Sequence, residues 1–284
     1  MTIKNIHARE VLNSGGTTTI AVAVTLEDGS VGSASVPFGV SAGSYEAFML
    51  FDGGKRYGGK GTQKAVNNVN TELGRALIGA DPYNQKDIDE KMILLDGTQN
   101  KSRLGGNAIL GVSLAVARAA AASHKLEFFQ YIEQHILSKP LRTPRNLPKP
   151  MVVVIEGGAH ADKSTDFQEY LIVSDIKDEN GIFSVKESVR SAAEVYLELK
   201  KVLKENGYNT NVGNEGAYAP EGIKLNAEPW GLISEAVQRA GYVAGRDIFF
   251  AADSAASEFV AKNKQGGVFQ YQLKHEDRFL SAED

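Results

Sequence analysis

Residues 151–173 read MVVVIEGGAHADKSTDFQEYLIV. An apolar run of strand length, Met151 to Ile155, enters the polar turn Glu156-Gly157-Gly158-Ala159-His160-Ala161-Asp162, and a second run, Tyr170 to Val173, follows Asp166-Phe167-Gln168-Glu169. If the two runs pair as an antiparallel hairpin, the end of the first and the start of the second share one rim. His160 and Glu169 are then neighbours. Two more apolar runs, Asn209 to Val212 and Ile248 to Ala252, are each followed by a carboxylate, Glu215 and Asp253. Helical stretches separate the later runs. From Val185 the positions Val189, Ala192, Tyr196, Leu199 and Leu203 recur at helical spacing until Gly207, which suits a helix C′ position. Strands alternating with helices predict an α/β layer architecture, and a barrel is one way to close it. Taken singly, each polar residue has a plainer reading: a packed loop histidine, an ion pair at Glu215, a helix cap at Asp253-Ser254. Their placement on one predicted rim is what points to a site.

Upstream, residues 139–150 read KPLRTPRNLPKP and hold Pro140, Pro144, Pro148 and Pro150, half of the eight prolines. Extended chain of this kind joins domains. The predicted division is a domain over 1–138, a linker over 139–150 and a second domain over 151–284. In the first, Ile20, Val22, Val24 and Leu26 share one face of a period-two pattern that ends at Asp28-Gly29 and resumes from Val31 to Val36, which predicts a hairpin. Glycine-rich loops fill the stretch from Val36 to Gly61. Helices are predicted over Thr62 to Leu77, Gln85 to Leu95 and Gly105 to Ala122, the last apolar around most of its circumference and so expected between layers. Gly54 to Gly61 nearly spells a phosphate-binding loop, but Gly61 stands where the serine or threonine is needed and no strand immediately precedes it.

At 284 residues, with 42% hydrophobic and 23% charged residues, the chain can build two cores. A formal charge of −4, without a Lys/Arg block, argues against nucleic acid as a partner. The absence of cysteine excludes disulfides and thiolate chemistry. Charged residues interrupt the N-terminus before a signal-peptide core can form, and the apolar run Ala108 to Ala122 is broken by Ser113 and Arg118 and too short for a bilayer. The expectation is a cytoplasmic protein with no membrane partner.

These segments resemble enolase over essentially the whole chain. Val36-Pro37 to Gly43 is similar to its mobile serine loop, Arg56-Tyr57-Gly58-Gly59-Lys60-Gly61 to its next signature, and Asp96-Gly97-Thr98 to Ala115 to its buried helix. Gly157 to Asp162, Asp166 to Glu169, Val212 to Pro220 and Ala252-Asp253 to Phe259 follow in the family's order and spacing. The resemblance implies an α+β N-terminal lid domain and then a partial TIM barrel with a β-β-α-α start, its second strand antiparallel. It implies Mg-dependent dehydration of 2-phosphoglycerate to phosphoenolpyruvate. Glu215 would be the acid that helps the C3 hydroxyl leave. Glu169 and His160 would be catalytic and substrate-binding groups, with Gln168 beside them, and Asp253 and Ser41 would be Mg²⁺ ligands. Such chemistry wants cations on the substrate carboxylate and a protonated acid near the leaving hydroxide.

By the same resemblance, two further metal ligands, the proton-abstracting lysine and the phosphate-gripping arginine and serine would lie beyond Asp284. About 140 residues follow the linker, against around 250 for a whole barrel. The expectation is therefore that the chain alone lacks turnover and needs a complementing C-terminal segment, or that it serves as a nonenzymatic binding or assembly module. A homo-oligomer is expected from the family, although Asn13 to Thr19 departs from its pattern. Phe38, Ala42, Tyr45, Glu156 and Asn214 are further departures, and Glu156, in place of an asparagine, adds a carboxylate to the rim.

Overall fold

The computed structural model describes the chain except residues 38, 40–42, 44, 140–146, 262–269, 282 and 284. It divides into two compact units, Met1–Gly39 with Tyr45–Pro144, and Val40–Ser44 with Arg145–Asp284.

In the first unit, β1 (Ile3–Leu12), β2 (Thr18–Leu26) and β3 (Val31–Ser35) form an antiparallel meander in the order β1-β2-β3. The alternation along β2 puts Ile20, Val22, Val24 and Leu26 into the core. The turn closes through Asp28-Gly29, with the Gly29 N–H donating to Leu26 O at 3.0 Å. Residues from Thr62 onward form α1 (Gln63–Asn68), a π-helical turn (Val69–Leu73) and α2 (Gly74–Leu77) in unbroken succession. Asn70 lies in that wide turn, where its amide bonds the backbone N–H and C=O of Ala8 at 2.7 and 3.0 Å. α3 (Gln85–Asp96) starts on the Asn84 side chain, which accepts from Asp87 N, and stops at left-handed Gly97.

α4 (Gly106–Ser123) lies on the sheet with Ala108, Val112, Ala115, Val116 and Ala119 fully buried. It is longer than the apolar run in the sequence and, by length and composition, could cross a membrane. Burial of most of its residues in the core accounts for that composition instead. Gly32 on β3 sets how close helix and sheet come: a Cβ there would sit 2.1 Å from Ala119 N and 2.3 Å from Ala115 O. α5 (Phe128–Tyr131) and a π-helical turn (Ile132–Ile136) follow in this unit. Glu10 at the end of β1 straps the glycine loop down. Its carboxylate accepts from both terminal nitrogens of Arg56, Nη1 at 2.9 Å, and from Thr62 N at 2.7 Å.

In the second unit, β4 (Met151–Glu156), β5 (Glu169–Ser174) and β6 (Ile248–Asp253) are ordered β4-β5-β6. Both outer strands run antiparallel to β5, so they are parallel to each other, and the predicted hairpin is present. α6 (Val185–Glu205) and α7 (Glu228–Arg239) pack on one side of this sheet. Val154, Ile155, Tyr170, Ile172 and Ile248 form a core there with Val195, Leu199, Ile233 and Val237. The strand expected at Asn209 to Val212 is not formed, and isolated bridges from Tyr218 to Val212 and to Ile155 stand in its place. The Asn209 side chain accepts from Asn211 N at 3.1 Å, a local turn that diverts the backbone from a ladder. A small antiparallel sheet of β7 (Val260–Ala261), β8 (Gln270–Leu273) and β9 (Arg278–Leu280) follows.

Candidate active site

The rim of this sheet is built by a register slip. Val153 pairs with Leu171, but Ile155 pairs with Tyr170 and Glu156 with Glu169, so Val154 is an extra residue. Strict alternation would have sent Glu156 to the helix side with Val152 and Val154. The bulge returns it to the opposite side, beside Glu169. Glu169 in turn pairs with Asp253 of β6. Three carboxylates therefore lie in one cross-strand row, a like-charge arrangement that disfavours the sheet unless something offsets it.

His160 sits in the short helical turn Gly158–His160 that follows β4. Its side chain is 5% exposed, and Nδ1 lies 3.8 Å from Glu156 Oε2, 3.7 Å from Glu169 Oε1 and 3.8 Å from Glu215 Oε1. No hydrogen-bond partner for Nδ1 exists among the described residues. One ligand atom each from His160, Glu169 and Glu215 fall within 4.8 Å of one another. Glu215 reaches this point from the turn after Val212, and Glu156 holds that turn in place. The wholly buried Glu156 carboxylate accepts from Ala217 N at 3.0 Å and from Glu215 N at 3.2 and 3.3 Å. Gly213 is required beneath it, because a Cβ would come within 2.5 Å of Glu156 Cδ.

Burial raises the pKa of Glu156 above the ordinary carboxylate range, against the opposing pull of the Glu215 and Ala217 N–H groups and of His160. Burial likewise raises Glu169, and the charges of Glu215 and Asp253 push it the same way. Glu156 and Glu169 thus hold protons more firmly than isolated carboxylates do, and the cluster offers a mixed nitrogen and oxygen surface to a polar ligand.

Two sequence comparisons bear on this arrangement. Residues 3–132 match the family profile described as "Enolase, N-terminal domain", and residues 144–283 match "Enolase, C-terminal TIM barrel domain". A protein named "Enolase" from Wolinella succinogenes is 45% identical over 282 residues, 99% of this chain and 63% of that protein. The chain belongs to the enolase family. It has that family's fold, an N-terminal domain followed by part of a TIM barrel, and spans less than two thirds of the relative's length.

Of the residues the enolase resemblance singled out, the structure brings His160, Glu169 and Glu215 together. Asp253 stands one strand away at the same rim, exposed, with Oδ1 accepting from Ala255 N at 3.0 Å. Gln168 is buried, and its Oε1 has no hydrogen-bond partner among the described residues. Ser41 lies outside the described residues. Sequence reasoning quoted Asp166 without assigning it a task. Its carboxylate accepts from Lys274 N at 2.9 Å and from the Asn226 amide at 3.0 Å, while Asn226 Oδ1 accepts from Asp166 N at 2.8 Å. This network fixes the loop that leads into Gln168 and Glu169. No pattern around Asn226 announced it, since the contact spans 60 residues.

Proposed function

We propose that the chain supplies residues 1–138 as the N-terminal domain, and 151–284 as the first part of the barrel, of a cytoplasmic lyase interconverting 2-phosphoglycerate and phosphoenolpyruvate. The convergence of His160, Glu169 and Glu215 on one strand-end rim carries this reading. In the dehydration direction the C2 proton is removed by a base outside this chain, and its electron pair forms the double bond. The C3–O bond breaks, and Glu215 gives its proton to the departing oxygen to make water. Glu215, the least buried of the three, is placed to meet a ligand entering the mouth. His160, Gln168 and Glu169 would bind and orient the substrate from the deeper side. The buried Gln168 Oε1 is free to accept from a substrate hydroxyl.

Magnesium prefers oxygen ligands. The exposed Asp253 carboxylate, with one oxygen engaged by Ala255, fits as one member of such a set, and Ser41 is a second candidate. When bound, the ion would neutralise the substrate carboxylate as charge develops on it.

The test mixes the purified chain with a polypeptide carrying the remaining barrel of the Wolinella relative, with Mg²⁺ and 2-phosphoglycerate, and follows phosphoenolpyruvate by its ultraviolet absorbance. Turnover should appear in the mixture, and Glu215→Gln should lower it roughly 10²- to 10⁴-fold. A stable complex that turns nothing over would defeat the lyase reading and leave a binding or assembly module. Undiminished turnover by the variant would remove Glu215 from the role of acid.

A further inference from the structure

We infer that Tyr196 of α6, through its hydroxyl and the Tyr218 ring it stacks on, is a positioning residue for Glu215: it locks the turn 213–217 in the conformation that presents the Glu215 carboxyl to the mouth. The inference rests on the proposed role of Glu215 as the acid, and Tyr196 acts through that residue.

The turn has little of its own to hold it. Its closing bonds run from Gly213 N to Ala217 O at 3.0 Å and from Gly216 N to Gly213 O at 3.3 Å. Gly216, directly after Glu215, has a φ of 87°, in the left-handed region that glycine enters freely. The Glu215 side chain is 44% exposed, so packing around it does not fix the carboxyl, and its place is set by the backbone of the turn.

That backbone is gripped from two sides. On the β4 side, Glu156 accepts from Glu215 N and Ala217 N. Tyr218 straddles the bulge there, its N–H donating to Val154 O at 3.1 Å and its C=O accepting from Glu156 N at 2.9 Å. On the helix side, the Tyr196 hydroxyl donates to Gly216 O at 2.7 Å. Its ring lies flat on that of Tyr218, with centroids 4.3 Å apart and planes 8° from parallel. Tyr218 is buried, so the stack ties Tyr196 to the core while its polar tip reaches the exposed turn. In the sequence Tyr196 belongs to the apolar row of α6, which accounts for its ring and not for its hydroxyl. Without that bond the peptide after Glu215 is free to rotate at Gly216. Misplacing a reacting group by about 1 Å costs up to roughly 10²-fold in rate, so a loosened turn weakens the acid without removing it.

The experiment compares Tyr196→Phe, which keeps the stack and loses the hydroxyl, with Tyr196→Leu, which loses both. In the chain alone, amide hydrogen exchange at Glu215 and Ala217 should quicken about 3- to 10-fold in Tyr196→Phe and further in Tyr196→Leu. Tyr242→Phe removes a hydroxyl that bonds Arg190 and Glu194 on the same helix, and it should leave those two amides unchanged. With the remaining barrel of the Wolinella relative present, Tyr196→Phe should lower kcat about 3- to 10-fold and hold KM within about twofold. The same change made on top of Glu215→Gln should cost nothing further. Unchanged exchange in both Tyr196 variants, equal quickening in Tyr242→Phe, or a full kcat penalty in the Glu215→Gln background would overturn the inference. A parent mixture that turns nothing over defeats the lyase reading instead, and exchange at Glu215 and Ala217 still decides whether Tyr196 holds the turn. Circular dichroism checks folding, and Tyr196→Phe carries the test if Tyr196→Leu does not fold.

Discussion

Glu156 stands at the end of β4 with its carboxylate out of water, held by two backbone N–H groups and 3.8 Å from an imidazole nitrogen. Because its pKa is raised in the fold, the folded chain keeps a proton that the unfolded chain has released. Below the ordinary carboxylate pKa both states are protonated and nothing is lost, and as pH rises toward the raised value folding becomes less favourable. Glu156→Gln should therefore melt higher than the parent at neutral pH in a chelator, by roughly 2–4 °C for each kcal/mol relieved. Thermal melts at acid pH should show that advantage disappear. Glu10 behaves in the opposite sense. The Arg56 guanidinium holds its carboxyl at about 2, with the Thr62 N–H assisting. Its stabilisation is complete above the usual 4.5 and is lost as pH falls from there toward 2. The full shift corresponds to roughly 3 kcal/mol, which water around half-exposed Arg56 reduces to about 1–2 kcal/mol. Urea unfolding of Glu10→Gln should show that loss at pH 7 and almost none near pH 2.

At the scale of elements, what the sequence displayed was periodicity, and it was reliable where periodicity alone decides. The alternation of β2, the spacing of α6 and the apolar circumference of α4 all correspond to observed elements. The hairpin of β4 and β5 was legible for the same reason, and with it the pairing of His160 with Glu169. What periodicity could not show was the extra residue at Val154. A count by twos along 151–156 buries Glu156 among the helices, whereas the bulge carries it into the carboxylate row. Residues 209–212 failed in the other direction. Their composition suits a strand, but the Asn209 side chain competes for the backbone, and only local hydrogen bonding reveals that. Close approach between elements is equally invisible to pattern, and Gly32 illustrates it. Since Ala115 O and Ala119 N belong to a helix backbone that cannot rotate away, Gly32→Ala must push α4 off the sheet. A loss of about 1–3 kcal/mol or more is expected in denaturant unfolding. A Gly32→Ala chain with unaltered stability would show that the α4 contact is looser than these distances require.

For the molecule as a whole, the consequence of carrying part of a barrel is an unfinished sheet. The order β4-β5-β6 leaves the outer side of β6 without a strand partner among the described residues. Its alternation puts Phe250 on the helix side, stacked on Trp230 at 5.7 Å, and Phe249 on the side that bears Glu169 and Asp253. Both rings remain exposed. An open strand edge carrying an apolar ring is a template for another strand, and in a closed barrel that partner comes from the rest of the chain. If the remaining barrel of the Wolinella relative docks there, Phe249 contributes apolar burial to the joint, and without it the same edge should favour self-association. Phe249→Lys places a charge on that edge while leaving the core against α6 and α7 untouched. Sedimentation should then show less concentration-dependent association of the chain alone. The same variant should lose affinity for the barrel segment, by about 1.5–3 kcal/mol if the ring is fully covered in the complex. Unchanged association together with unchanged capture of the segment would mean that β6 is not the edge at which the barrel is completed.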